Sequence, residues 1–407
     1  MTLRNLSSSY FMGSIPASLG NDITQLAYLD LSFNSFSGHI PSSFSNLQQL
    51  RLLDLRGSVE LYDFAKLKKL KALYLSNISL SMSTKLTVNS SFPNLSELGL
   101  RACNISEFPS WMWDIGVHTL IYLELSRNFL TNIDHLPWKN LEYLHLDSNL
   151  LQGSLLNLPP HMREFSISRN NLTGEIPSSF CNLSYIRFFD SSNNSLSGQI
   201  LQCLGNSTLD TLDLGMNNFQ GSVQQIYTKG CKLVYLRLSG NHLEGPLPPS
   251  LINCVDLQFL DVGNNSLSGP IPEYLGNSTL EILDMRMNKF SGSLPQTFAK
   301  SCVLVSLNLN GNRLEGPLPP SLVNCRHLEV IDVGNNQIND TFPHWLDVLP
   351  ELQVLTLRSN RFRGPIDDTK TRVPFPKLRI IDLSYNRFTG VLPIWYLHGF
   401  KVLKSII

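Results

Sequence analysis

The stretch LVSLNLNGNRLEGPLP, Leu304–Pro319, decides how this chain folds. Leu307 and Leu309 alternate with polar Ser306 and Asn308, the period-two pattern of a short strand with one buried face. Asn312 follows where such a strand ends, and Gly316 and Pro319 then supply a bend and a fixed backbone angle. The same wording recurs in LAYLDLSFNSFSGHIP (Leu26–Pro41) and LVYLRLSGNHLEGPLP (Leu233–Pro248). Aligned on the asparagine, the copies put Asn34, Asn128, Asn149, Asn170, Asn194, Asn217, Asn241, Asn265, Asn288, Asn312, Asn336, Asn360 and Asn386 in one column. Ser9, Ser58, Ile78 and Cys103 fill that column in weaker copies, giving roughly 17 units of about 24 residues.

A single short strand cannot bury its apolar face, but parallel stacking of identical units makes a continuous core. The chain therefore reads as one leucine-rich-repeat solenoid over residues 1–407, of mostly β character. A concave parallel sheet and an irregular or 3-10 convex side are expected. The asparagine amide, which both donates and accepts, is expected to satisfy backbone groups of its own turn and the next. The proline is expected to stop further pairing. Between Arg51 and Ser106 the asparagine fails three times and the G-x-I-P element is missing. From Phe129 to Asn171 the units shrink to about 21 residues. Arg363–Pro376, RGPIDDTKTRVPFP, reads as a polar loop inserted at a solenoid edge.

Length simply counts units in such an array. With 32 basic and 32 acidic residues the net charge is zero, so no nucleic-acid footprint is present. No apolar run reaches the roughly 18 residues of a membrane span. Met1 opens directly inside a repeat, Ile407 falls just after one, and neither a signal peptide nor an end cap is recognisable, so the chain is expected to be a fragment.

Six of the seven cysteines fall in pairs one repeat apart: Cys181 with Cys203, Cys231 with Cys254, and Cys302 with Cys325. Adjacent turns of a strand solenoid lie about 5 Å apart, which suits a disulfide and implies an oxidising compartment. Cys103 sits in the asparagine column and is expected to stay unpaired. Acceptor motifs N-x-S/T occur at Asn5, Asn77, Asn89, Asn94, Asn104, Asn171, Asn182, Asn193, Asn206, Asn264, Asn277 and Asn339, in keeping with passage through a secretory route.

The long repeat with G-x-I-P is similar to the plant extracellular leucine-rich repeat. The run from Gly174 to Pro393 resembles plant leucine-rich-repeat receptor-like proteins, the group that includes the tomato leaf-mould and Verticillium resistance proteins. The likeness is carried by GEIPSSFCNLS (Gly174–Ser184), QCLGNSTLDTLDLGMNNFQGS (Gln202–Ser222), PPSLVNCRHLEVIDVGNNQINDTFPHWL (Pro319–Leu346) and LPELQVLTLRSNRFRGPI (Leu349–Ile366). LRACNISEFP, Leu100–Pro109, looks like another piece of the same ectodomain. The resemblance implies a single-pass cell-surface receptor without a kinase, facing outward from the plasma membrane. Such a receptor binds a peptide, protein or glycan ligand from the apoplast or a microbe and signals through partner receptor kinases. Three other readings stay open: a secreted inhibitor of microbial cell-wall hydrolases, the ectodomain of a receptor kinase or developmental peptide receptor, and an inactive truncated product.

The concave sheet is the one extended surface that would present side chains at fixed pitch, so ligand contacts are sought there. Aromatic residues and arginine carry most interface energy. Departures from the recurring aspartate of the strand therefore mark two candidate clusters. The first is Tyr122, Glu124 and Arg127 beside Tyr143, His145 and Asp147; the second is Tyr235, Arg237, Phe259 and Asp261. A weaker third is Arg286, Met287 and Arg358. Glycans on Asn193 or Asn264, each just before the asparagine column, would narrow the face. No phosphate-binding, dinucleotide, zinc-protease or nucleophile-elbow motif occurs, and the cysteines are not spaced for zinc. Catalysis, a cofactor and a metal are therefore not expected.

Overall fold

The computed structural model describes residues 2–36, 41–56, 67–77, 94–108, 110–113, 116–223, 227–366 and 375–391. The chain divides into two compact units, Met1–Leu196 and Ser197–Ile407, which have the same architecture.

In the first unit the L-x-L segments form parallel strands in sequence order, from Thr2–Asn5 through Leu26–Asp30, Leu52–Arg56, Ala72–Ser76 and Glu97–Arg101 to Tyr122–Glu124, Tyr143–His145, Glu164–Ser166 and Phe188–Asp190. In the second, Thr211–Asp213 leads through Tyr235–Arg237, Phe259–Asp261, Ile282–Asp284, Ser306–Asn308, Val330–Asp332 and Val354–Thr356 to Ile380–Asp382. Each unit is a leucine-rich-repeat solenoid whose concave wall is this sheet. The pleat sends the central leucine inward: Leu123, Leu144, Leu212 and Leu260 are all fully buried, while their flanking residues face out. Burying one such leucine contributes about 2 kcal/mol, and the gain recurs in every repeat.

The asparagine ladder locks neighbouring turns. Asn241 donates to the carbonyls of Leu214 and Leu238 at 3.0 Å each and accepts from the Phe219 N–H at 3.0 Å. Asn149 does the same for Leu125, Leu146 and Leu130. The second turn served is thus the preceding one, not the following one as expected, because the amide lies after its own strand and points back along the stack. Cys103 keeps part of this pattern: its Sγ lies 3.3 Å from the Leu75 carbonyl and 3.5 Å from that of Arg101, and it is in no disulfide. The residue before the column is left-handed almost throughout, with φ of 52° at Phe33, 56° at Arg127, 56° at Met216 and 51° at Met287.

The stretch after the asparagine was expected only to bend. Instead it forms a second set of parallel strands, Asn218–Ser222 through His242–Gly245, Ser266–Gly269 and Lys289–Gly292 to Arg313–Leu314, before the proline ends the pairing. Arg363–Pro365 likewise pairs with Arg387–Thr389, so the opening of the expected Arg363–Pro376 loop is strand; residues 367–374 lie outside the described residues, as do Ser58 and Ile78. The convex side carries 3-10 turns such as Pro249–Asn253 and Pro320–Asn324, each entered from a proline whose fixed angle sets the turn. The shorter units between Phe129 and Asn171 drop these turns, and Trp138 and Met162, both fully buried, fill the space. Cys231–Cys254 and Cys302–Cys325 bridge successive turns with Cα atoms 4.7 Å apart, and Cys181 and Cys203 are each disulfide-bonded.

Candidate ligand-binding face

The candidate residues of the first unit come together on the concave sheet in two rows. Register pairing sets Glu97, Tyr122, Tyr143 and Glu164 side by side on four adjacent strands. The next row runs Tyr74, Gly99, Glu124, His145. Tyr122 stands 6.2 Å from the Tyr143 ring, 5.6 Å from His145 and 6.0 Å from Tyr74, so the aromatic rings form one partly exposed stripe. The Tyr74 hydroxyl donates to Glu97 Oε2. Tyr74, Glu97, Gly99 and Glu164 were not singled out from sequence. Tyr74 and Glu97 lie in the stretch whose asparagine column fails, where the register had no anchor.

Carboxylates outnumber cations on this face, and Arg101, at the end of its own strand, opposes the rise in pKa at Tyr122 and Asp147. Among the described residues no lysine or arginine pairs with Glu97, Glu124, Asp147 or Glu164; the nearest approach is His145 Nε2 to Glu164 at 4.0 Å. Burial, then the carboxylates of Glu124 and Glu164, push the Tyr122 phenol up to about 12. Burial, then the bond to Glu97, raises the Tyr74 phenol further. Asp147 is also raised, by burial and then by Glu124. Arg127, grouped with this cluster from sequence, lies beyond the strand end in a left-handed, exposed turn and not among the rings.

The second cluster is assembled but internally satisfied. Tyr235 and Phe259 stack at 4.2 Å, with planes 8° apart. Arg237 lies between two aspartates, 3.6 Å from Asp213 and 3.3 Å from Asp261, and Ser239 donates to Asp261 at 2.6 Å. Burial lowers the Arg237 pKa, but the two carboxylates outweigh it and hold the guanidinium charged. Asp213 and Asp261 are buried and also accept the N–H groups of Gly215 and Gly263, at 2.9 and 3.0 Å. The recurring aspartate is thus a strand-end cap for the backbone two residues on, seen again at Asp30 and Asp382. Of the third cluster, Arg286 pairs with Asp284 and Arg358 with Asp382, in turns three repeats apart, so the structure does not join them.

Acceptor asparagines Asn5, Asn77, Asn94, Asn104, Asn171, Asn182, Asn193, Asn264, Asn277 and Asn339 are exposed. Asn206 ends a 3-10 turn, and Asn89 lies outside the described residues. Among the described residues no group of His, Cys, Asp and Glu is arranged to hold a metal, and no helix is long and apolar enough to cross a membrane.

A family described as Leucine Rich Repeat matches residues 25–47, 161–183, 232–254, 256–278, 279–301, 303–325 and 377–397, and a related Leucine Rich repeat matches 324–341. Receptor-like protein 54 of Arabidopsis thaliana is 32% identical over 400 residues, covering 91% of this chain and 41% of the relative. Receptor like protein 22 of the same plant is 35% identical over 399 residues, covering 95% and 45%. The chain therefore spans less than half the length of these relatives. Among solved structures, the ectodomain of the Arabidopsis receptor kinase HAESA, in complex with an extended IDA peptide hormone, superposes with a TM-score of 0.75 at 29% identity, over 97% of this chain and 71% of that one.

Proposed function

This chain is a leucine-rich-repeat protein of the plant receptor-like kind, and from that premise we propose that it is a ligand-recognition ectodomain that works by binding and not by catalysis. The observation that carries the reading is the Tyr74–Tyr122–Tyr143 stripe. Three aromatic rings stand at fixed pitch on a rigid sheet, ringed by carboxylates that, among the described residues, no lysine or arginine pairs with directly. Such an arrangement contributes little to holding the fold, whereas aromatic anchors on a preorganised surface are what recognition requires. The Tyr235–Arg237 cluster, whose arginine is paired with an aspartate on either side, serves the fold. The ligand is a peptide, protein or glycan met outside the plasma membrane, from the apoplast or a microbe. The full-length protein hands the signal to receptor-kinase partners, in defence. A peptide ligand is supported by the HAESA ectodomain, a related solenoid solved with a peptide hormone.

The test is selection of binders from a random peptide library on the secreted, disulfide-intact chain. Selected peptides are then titrated against a Tyr122→Ala/Tyr143→Ala variant and against a Tyr235→Ala/Phe259→Ala variant. Loss of at least about tenfold with the first pair and little change with the second is expected. Selected peptides that bind both variants as well as the native chain would overturn the reading.

A further inference from the structure

We infer that the face around Tyr122 reads a basic side chain, with arginine preferred, so that the ligand is a cationic peptide or a protein segment presenting a guanidinium. The inference rests on the recognition reading above and adds the ligand's chemistry.

The first row sets two tyrosines between two glutamates. Glu97 and Glu164 stand on either side of the Tyr122–Tyr143 pair, on strands about 5 Å apart. A planar cation lying on those rings gains from their negative faces and lies within reach of a carboxylate on either side. Guanidinium fits better than ammonium, because it is weakly hydrated, stacks flat and offers a fork of N–H donors to carboxylate oxygens.

A second observation sits at the floor of the same face. At Asp30 and Asp382 the serine two residues on ties the carboxylate down, Ser32 Oγ and Ser384 Oγ donating at 2.6 Å, whereas Asp190 is held by the Ser192 N–H alone. At Glu124 this lock is absent. Glu124 accepts only the Ser126 N–H, at 2.8 Å through Oε1. The Ser126 hydroxyl is fully buried, has no hydrogen-bond partner, and lies by pleat alternation on the same face as Tyr122 and Glu124. Oε2 of Glu124 makes no hydrogen bond among the described residues and is open to a bound donor. An anionic ligand would add to the carboxylates already gathered on this partly buried surface, which Arg101 and His145 only partly offset.

The experiment is calorimetric titration of the intact chain with N-acetylated, C-amidated hexaarginine, hexalysine, hexaglutamine and hexaglutamate, at low and moderate salt. Saturable binding is expected for hexaarginine, weaker binding for hexalysine, and none for the other two. Glu124→Gln and Glu164→Gln keep shape and should each weaken hexaarginine by about five- to tenfold. Asp332→Asn, on the second unit, should leave it unchanged, and matching melting curves would show that the variants fold. Equal binding of hexaarginine and hexaglutamine, or full binding by both glutamine variants, overturns the inference. If library-selected peptides depend on Tyr122 yet carry no basic residue, the cationic reading falls while the recognition face stands. If basic peptides bind but their affinity follows Asp332 and not Glu124 or Glu164, the placement of the site falls.

Discussion

The Tyr74 ring lies across Gly99 on the neighbouring strand, where a methyl group would meet ring atom Cδ1 at 2.5 Å. Gly99 occupies a place in the strand where aspartate is the commonest residue, and its missing side chain is what lets Tyr74 lean toward Glu97 and Tyr122. Gly99→Ala is expected to push Tyr74 off this position and cost on the order of 1–3 kcal/mol. Near-ultraviolet circular dichroism and urea unfolding check both parts. An unchanged tyrosine signal would mean that the ring does not depend on the glycine.

Asn241 is 5% exposed and makes three close hydrogen bonds, at 3.0 Å each, to backbone groups on two turns. Asn241→Ala strands all three in a dry interior, at about 1–3 kcal/mol for each unsatisfied group before relaxation. A loss of roughly 3 kcal/mol or more is expected in urea unfolding. A loss below about 1 kcal/mol would mean that the ladder is ornamental.

Met287 adopts φ of 51° while remaining 55% exposed, so a bulky side chain holds a left-handed backbone with little packing in return. The same column carries glycine at Gly240 and Gly311, with φ of 67° and 72°. Met287→Gly removes a steric penalty of about 1–2 kcal/mol and adds chain entropy to the unfolded state, for a net gain of about 0.5–1 kcal/mol. A melting temperature that falls would contradict this.

Asp284 faces Asp261 directly across the ladder, and burial, followed by that neighbour, raises its carboxyl above the ordinary 3.8 even though the Arg286 N–H and guanidinium oppose the shift. Between 3.8 and its raised value the folded chain holds more proton than the unfolded one, so this group's contribution to stability falls as pH rises through the folded value. Asp284→Asn keeps the oxygen that accepts from Arg286 and removes the charge. The variant should match or exceed the native chain near about pH 7 and lose that advantage as pH drops toward about 3.5. Paired unfolding curves across that range decide it; a variant less stable at neutral pH would refute the sign.

The repeat itself was legible because it is written in identities: leucines two apart, asparagine at the strand end, glycine and proline at fixed offsets. Those residues do the same physical job in every turn, and any stacking of units must satisfy them alike. The sequence by itself therefore determined the solenoid, the parallel strands and the columns that meet. It also placed Tyr122 beside Tyr143 and Tyr235 beside Phe259, since register follows from alignment. It did not separate the two clusters. Arg237 and Glu124 look alike as departures from aspartate, and only the tertiary structure shows Arg237 paired with Asp213 and Asp261 while Glu124, among the described residues, is in no ion pair. It likewise left Tyr74, Gly99 and Ser126 out of view, because their meaning is relational. A glycine matters where a ring from the next strand needs its space, and a serine where its hydroxyl lacks the bond its counterparts make. Periodicity constrains the backbone; lateral neighbours one turn away decide which charges are balanced and which stay open to a ligand.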